Sequence, residues 1–151
     1  MDRSLSAWKK LVPALICGLG ASLAFAADPI GYVKTVSGDA RVISGSGSVP
    51  ARPGTPLAAG DQVQTGPGAS CGVTLRDNTQ MAFGPSTRFT FEEYLFAPAK
   101  GDLRLAGRIG AGTLHYVSGS IAQLRPQAVE LKTPNGIIGI RGTTLAVLVE
   151  P

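Results

Sequence analysis

Side chains able to do covalent or acid–base chemistry are few in this sequence, and they are scattered. Its single histidine, His115, stands in Thr113-Leu114-His115-Tyr116-Val117. On a strand, that imidazole points away from Leu114 and Tyr116, as a rim or surface residue does, and not as a held general base. Cys71 and His115 are the right residue types for a nucleophile and its base, but neither lies in an orienting motif. From Asp28 onward the carboxylates are Asp28, Asp39, Asp61, Asp77, Asp102, Glu92, Glu93, Glu130 and Glu150. Several of the aspartates fall in turn sequences (Gly38-Asp39, Gly60-Asp61, Asp77-Asn78), where a short carboxylate bonds nearby backbone N–H groups. Glu92 and Glu93 are adjacent, so strand alternation sends them to opposite faces, a poor geometry for an acid/base pair. No DxDxDG, HExxH or CxxC spacing offers a metal site. Gly110-Ala111-Gly112 lacks a following GK[ST] and leads into a strand, so it is no phosphate cradle. The chain reads as non-enzymatic, with no cofactor and no metal.

The N-terminal segment indicates the compartment. Arg3, Lys9 and Lys10 give a basic start, Leu11 to Phe25 are apolar or small, and Ala24-Phe25-Ala26 is a small-residue exit. That order describes a cleavable signal peptide over residues 1–26, cut between Ala26 and Ala27. A spanning helix needs about 20 apolar residues, and this run is shorter and interrupted by Pro13, Gly18 and Gly20. Cys17 follows Ile16, where a lipoprotein signal needs a small residue, so it is leader filler. Loss of the leader lowers the formal net charge from +4 to +2. The remaining basic residues stand singly, which excludes a nucleic-acid footprint. Residues 27–151 are one domain's worth of chain. They keep one cysteine, Cys71, which excludes an internal disulfide; its apolar neighbours point to burial. The expected location is the periplasm or the exterior.

The elements that must position these residues read as short strands between Gly, Pro, Asp and Asn turns. Ile30–Val36 and Ala40–Ile43 look like a hairpin across Ser37-Gly38-Asp39. Ser44–Pro56 has no periodicity and reads as an exposed, mobile loop. Gln62–Thr65 is extended after a Gly60-Asp61 turn. Cys71–Arg76 and Thr79–Phe83 form a hairpin on the two-residue turn Asp77-Asn78. Phe89–Phe91 continues toward Phe96, followed by Leu103–Leu105 and Gly107–His115. Val129–Thr133 and Ile137–Val149 close the chain around Pro134-Asn135-Gly136, and Gly139 suggests a bulge or a close backbone approach. Residues 119–124 are the one helical candidate. Val63 to Arg76 faintly echoes Leu131 to Arg141, as two hairpins obeying the same turn rules. The fold class is all-β: a compact sandwich, a barrel or a small β-solenoid. Arg141, between two apolar runs, is read as closing the end of the core by bonding backbone carbonyls or a turn carboxylate such as Asp61.

Several of these segments together resemble the FecR domain. They are Gly31-Tyr32-Val33 with Val36 to Val42, Gly60-Asp61-Gln62-Val63-Gln64-Thr65-Gly66, Val73 to Thr79, Val129 to Pro134, and Ile140-Arg141-Gly142-Thr143. The specific part is the order: a Gly60-Asp61 to Thr65-Gly66 block, then Thr133-Pro134, then Arg141-Gly142-Thr143. The resemblance spans residues 30–149 and implies an all-β extracytoplasmic module. In the namesake proteins that module relays a signal from an outer-membrane receptor to a cytoplasmic anti-sigma region. This chain differs from them by starting with an export signal and by stopping a few residues after Thr143, which would leave an open strand edge at its C-terminal end. The motif residues Gly60, Asp61, Thr65, Thr133, Pro134, Arg141, Gly142 and Thr143 are expected to be structural. The expected role is a protein-binding, scaffold or signal-related module meeting another envelope protein. The alternative is a surface-displayed adhesive module that binds glycan or itself.

Overall fold

The computed structural model describes residues 28–141 and 144–150. The expected signal peptide with its Ala26–Ala27 cleavage site lies outside them, as do Gly142 and Thr143. In chain order the strands are β1 (Gly31–Ser37), β2 (Ala40–Ser44), β3 (Gly47–Pro50), β4 (Pro56–Leu57), β5 (Gln62–Thr65) and β6 (Ser70–Leu75). They continue as β7 (Gln80–Phe83), β8 (Arg88–Ala97), β9 (Asp102–Val117), β10 (Val129–Thr133), β11 (Gly136–Gly139) and β12 (Thr144–Val149), with one α-helix among the described residues, α1 (Ser120–Leu124), before β10. The all-β class expected from the sequence is the observed one. Among the described residues, no helix is long and apolar enough to cross a membrane.

The twelve strands belong to one curled sheet, and β9 is its spine. On one edge β9 takes both β7, at Gln80↔Val117 through Phe83↔Leu114, and β8, from Arg88↔Ala111 to Ala97↔Asp102. Its other edge takes β12 antiparallel and β10 parallel, the latter at Val129↔Leu105 through Lys132↔Arg108. β9 therefore divides the sheet into two halves. The first runs β12-β9-β7-β6-β1-β4, and the second β3-β2-β5-β8-β9-β10-β11. The strand crosses from one half to the other at Gly110-Ala111-Gly112. Gly112 has a φ of +94°, and a Cβ on it would stand 2.5 Å from the Thr87 backbone, so a side chain at the crossing meets strain and a clash together.

Both halves turn their alternating apolar faces into one core. Val33, Cys71, Val73, Met81, Phe83, Leu114 and Tyr116 come from the first half; Val42, Val63, Phe89, Phe91, Leu105, Ile109 and Leu131 come from the second. Phe89 joins them, with its ring 5.2 Å from Phe83 and 5.0 Å from Phe91. Burying a side chain of this size stabilises the fold by about 1.5–3 kcal/mol. Gly107 lies beneath the Phe89 ring, where a Cβ would come within 2.2 Å of it. That cover explains why β9 runs unbroken through Gly107, where the sequence suggested two separate pieces.

Several pairings differ from the sequence reading. β1 and β2 are not a hairpin. β1 pairs with β4 and β6, β2 with β3 and β5, and the turn at Gly38 carries the chain from the first half to the second. Residues 44–56 are not all loop, because β3 folds back on β2 as an exposed edge strand. Likewise β5 and β6 lie in different halves, so the first copy of the internal echo is not a hairpin. Residues 137–149 split into β11 and β12, again one in each half, and Gly139 has open space about it, with no close approach. The β6–β7 turn takes Arg76-Asp77-Asn78: the Asn78 N–H donates to the Leu75 carbonyl, the Leu75 N–H donates to Thr79, and Asn78 alone of the three has positive φ. A three-residue loop of this kind places one residue in the left-handed region. The helical candidate at 119–124 is α1.

Candidate functional site

Cys71 and His115 do not meet. Cys71 is opposite Phe83, which is opposite Leu114, so its thiol points inward, while His115 is opposite Ala82 on the outer face. The two residues sit on opposite sides of the same half. Cys71 is buried, as its neighbours indicated, and burial pushes its thiol up to about 11. His115 is exposed.

The densest polar cluster is instead structural, and it centres on Asp77. This carboxylate is 1 % exposed and every contact is satisfied. Oδ1 accepts from the Tyr94 hydroxyl at 3.0 Å and the Thr79 N–H at 3.3 Å. Oδ2 accepts from the Thr79 hydroxyl at 2.7 Å and the Ile121 N–H at 3.1 Å. The Asp77 N–H donates back to the Tyr94 oxygen, and its carbonyl accepts from the Ser120 N–H. One turn residue thus ties the β6–β7 loop to α1 and to β8. Burial, with the Asp77 charge beside it, raises the Tyr94 phenol above its ordinary range and keeps it a proton donor.

The motif residues are spread along the fold. Gly60 has a φ of +92° and donates its N–H to Phe91, while Asp61 caps the same turn by accepting from the Ala58 N–H at 2.9 Å. The Thr65 hydroxyl donates to the Gly84 carbonyl at 2.6 Å and accepts from the Thr87 N–H at 2.9 Å, closing β5 onto the β7–β8 link. Thr133 and Pro134 build the β10–β11 turn, where the Thr133 hydroxyl donates to Gly136 and accepts from the Asn135 N–H. Arg141 departs from the sequence reading. It is exposed, it lines a surface hollow with Gln127, Glu130 and Ile140, and Asp61 does not pair with it.

Glu92 and Glu93 are also corrected. A register shift between Phe91 and Glu93 makes Glu92 a bulge residue, so both glutamates reach the outer face. They form a charged ladder: Glu92 pairs with Arg108 and Lys132, each at 2.8 Å, and Arg104 spans Glu93 at 2.9 Å and Glu130 at 2.7 Å. Hydrogen bonds from Lys132 and Arg108 hold the Glu92 carboxyl below its ordinary range.

The first half has a different outer face. Among the described residues, Lys34 is the one formally charged residue on β1, β4, β6, β7, β12 and the 112–117 stretch of β9 that pairs with them. A lateral row, Thr35-Gly72-Ala82-His115-Ala146, crosses five strands with small side chains beside one imidazole. The row ends on β12, which pairs with β9 alone and leaves its other edge free among the described residues. The remaining edges are blunted. β3 ends on Pro50, β4 is two residues opening on Pro56, and β11 is four residues bracketed by glycines. By contrast, β12 has six residues, Thr-Leu-Ala-Val-Leu-Val, with no charge, proline, glycine or register break. Alternate residues along it point their N–H and C=O groups outward, as every antiparallel edge does.

The fold and its surfaces define an all-β module with separate charged and uncharged faces. A model of the FecR protein family matches residues 61–150, and the chain belongs to the FecR family, a family of signal-transduction-related domains. The match takes in β5 through β12, including the Asp77 cluster, β9 and the free edge; the earlier strands β1 to β4 precede it. No curated protein and no solved structure matches the chain.

The sequence pointed to an open edge at the C-terminal end but read 137–149 as one extended run, and so did not separate β12 from β11. The signal available was Arg141-Gly142, a charge and a glycine inside that run.

Proposed function

We propose that this chain is exported and acts in the bacterial envelope as a non-catalytic protein-binding module, taking its partner by strand addition at β12. The observation that carries the reading is the free six-residue edge, uncharged and unblunted where the other edges are short or closed by proline or glycine. Outward backbone groups on such an edge need hydrogen-bond partners, and another strand supplies them in register. The uncharged outer face beside it supports the same reading, because a partner strand can lie there without desolvating ions. Export is supported by the basic, apolar and small-residue order of residues 1–26. Membership of a signal-transduction-related family agrees with a protein partner.

The test is site-specific photo-crosslinking in envelope fractions. A photoreactive residue at Leu148 is expected to capture protein, while the same residue at Arg88 on the charged half captures none. Capture of glycan alone at Leu148 would overturn the reading in favour of an adhesive module.

A further inference from the structure

We infer that the strand taken up by β12 is the β12 of a second copy, paired antiparallel about a two-fold axis at Ala146. The inference rests on strand addition at this edge and names its occupant. A two-fold perpendicular to the sheet returns each face to itself, so facing residues share the same side-chain direction, and one residue must oppose its own copy. With Ala146 on the axis, Thr144 faces the partner's Leu148 and Leu145 faces the partner's Val147. Every residue from Thr144 to Leu148 is then paired, and Glu150 stays beyond the pairing.

Three observations favour this occupant. First, β12 carries no charge, so two copies meet without repulsion, and the edge has no charge with which to select an unlike partner. Lys34, the charged residue on the outer face of this half's strands, stands on β1, separated from β12 by β9, β7 and β6. Second, Ala146 is a small, exposed side chain at the point where the two copies come closest. Third, Leu148 is 66 % exposed, the highest value among the exposed large apolar residues, and the pairing covers it with the partner's outer face. The row ending His115-Ala146 would continue through the partner's Ala146 and His115, doubling the uncharged face. A single pair of edges is a small interface, so the association is weak and concentration-dependent.

Sedimentation of the full chain over about 1 µM to about 1 mM is expected to show a monomer–dimer transition. Ala146→Lys and Ala146→Glu, each alone, should raise the dissociation constant about fivefold, because like charges then oppose directly. Mixing the two variants should restore dimers, a recovery that a misfolded variant could not give. Ala146→Cys should form a disulfide-linked dimer under mild oxidation, since directly opposed residues have Cα atoms about 4.5–5.5 Å apart, within disulfide reach. Thr144→Cys should not, because its symmetry mate lies four residues along the edge. The inference is overturned by a chain that stays monomeric with Ala146→Cys uncrosslinked, or by equal crosslinking at Thr144→Cys and Ala146→Cys. A monomer whose Leu148 still captures another envelope protein sinks the second copy and keeps strand addition. A dimer crosslinked at Ala146→Cys whose Leu148 captures no other protein keeps strand addition with a second copy and sinks only the unlike envelope partner.

Discussion

The two halves of the sheet place their polar chemistry on opposite sides. In the first half it is inside: Asp77, Thr79 and the Tyr94 hydroxyl are sealed beneath the β6–β7 turn, and the outer face is nearly free of charge. In the second half it is outside: Glu92, Glu93, Arg104, Arg108, Glu130 and Lys132 ladder across the solvent face over an apolar interior. A buried carboxylate with four bonds specifies one arrangement of loop, helix and strand, because removing it leaves its donors unmet in a dry site. An exposed ion pair contributes little to stability but keeps its face hydrated and resistant to association. This contrast marks where the molecule can be touched. The second half is defended by charge, and the first is left open.

The contrast depends on β9 serving both halves, and severing that join should cost the most stability. Gly112→Val forces a β-branched residue into positive φ and against the Thr87 backbone, so a loss of about 3 kcal/mol or more is expected in chemical denaturation. Asp77→Ala comes next, at about 2–4 kcal/mol, with lost protection of the Ile121 amide in hydrogen exchange. Arg104→Ala should cost no more than about 1 kcal/mol, less in high salt. If Arg104→Ala matched Asp77→Ala, the distinction between an interior and an exterior network would fail.

A pH series sharpens the same point. The folded-state pKa of Glu92 lies below its unfolded value, so its contribution is present above the ordinary glutamate range and is lost as pH falls through the folded value. The expected change is a fraction of a kcal/mol below about pH 4, absent in Glu92→Gln. The smallest effect is kinetic: with its pKa pushed up to about 11 and its side chain buried, Cys71 should react with a thiol reagent at pH 8 only as fast as the chain opens.

Facing was legible in the sequence, and partnership was not. Period-two alternation put Cys71 inside and His115 outside, and the turn residues marked most strand ends. Alternation says which side of a strand is wet, but it carries no information about the neighbouring strand. Hence β1 and β2 looked like a hairpin although Gly38 sends them to different halves. The Glu92 bulge shifted parity by one residue and brought two glutamates to one face, and no composition signal announces a bulge. Asp77 was read as an ordinary turn aspartate, because its partners Tyr94 and Ile121 lie 17 and 44 residues away.

The sixteen-residue β9 also governs how the chain can acquire its structure. β7 and β8 come before it, β10 and β12 after it, and each uses it as a neighbour. Neither half can finish as an independent unit, so folding is all-or-none and waits until residue 117 and the strands beyond are present together. A chain still being synthesised would remain soft for most of its length and set late. A single proteolytic cut within β9 would release both halves at once.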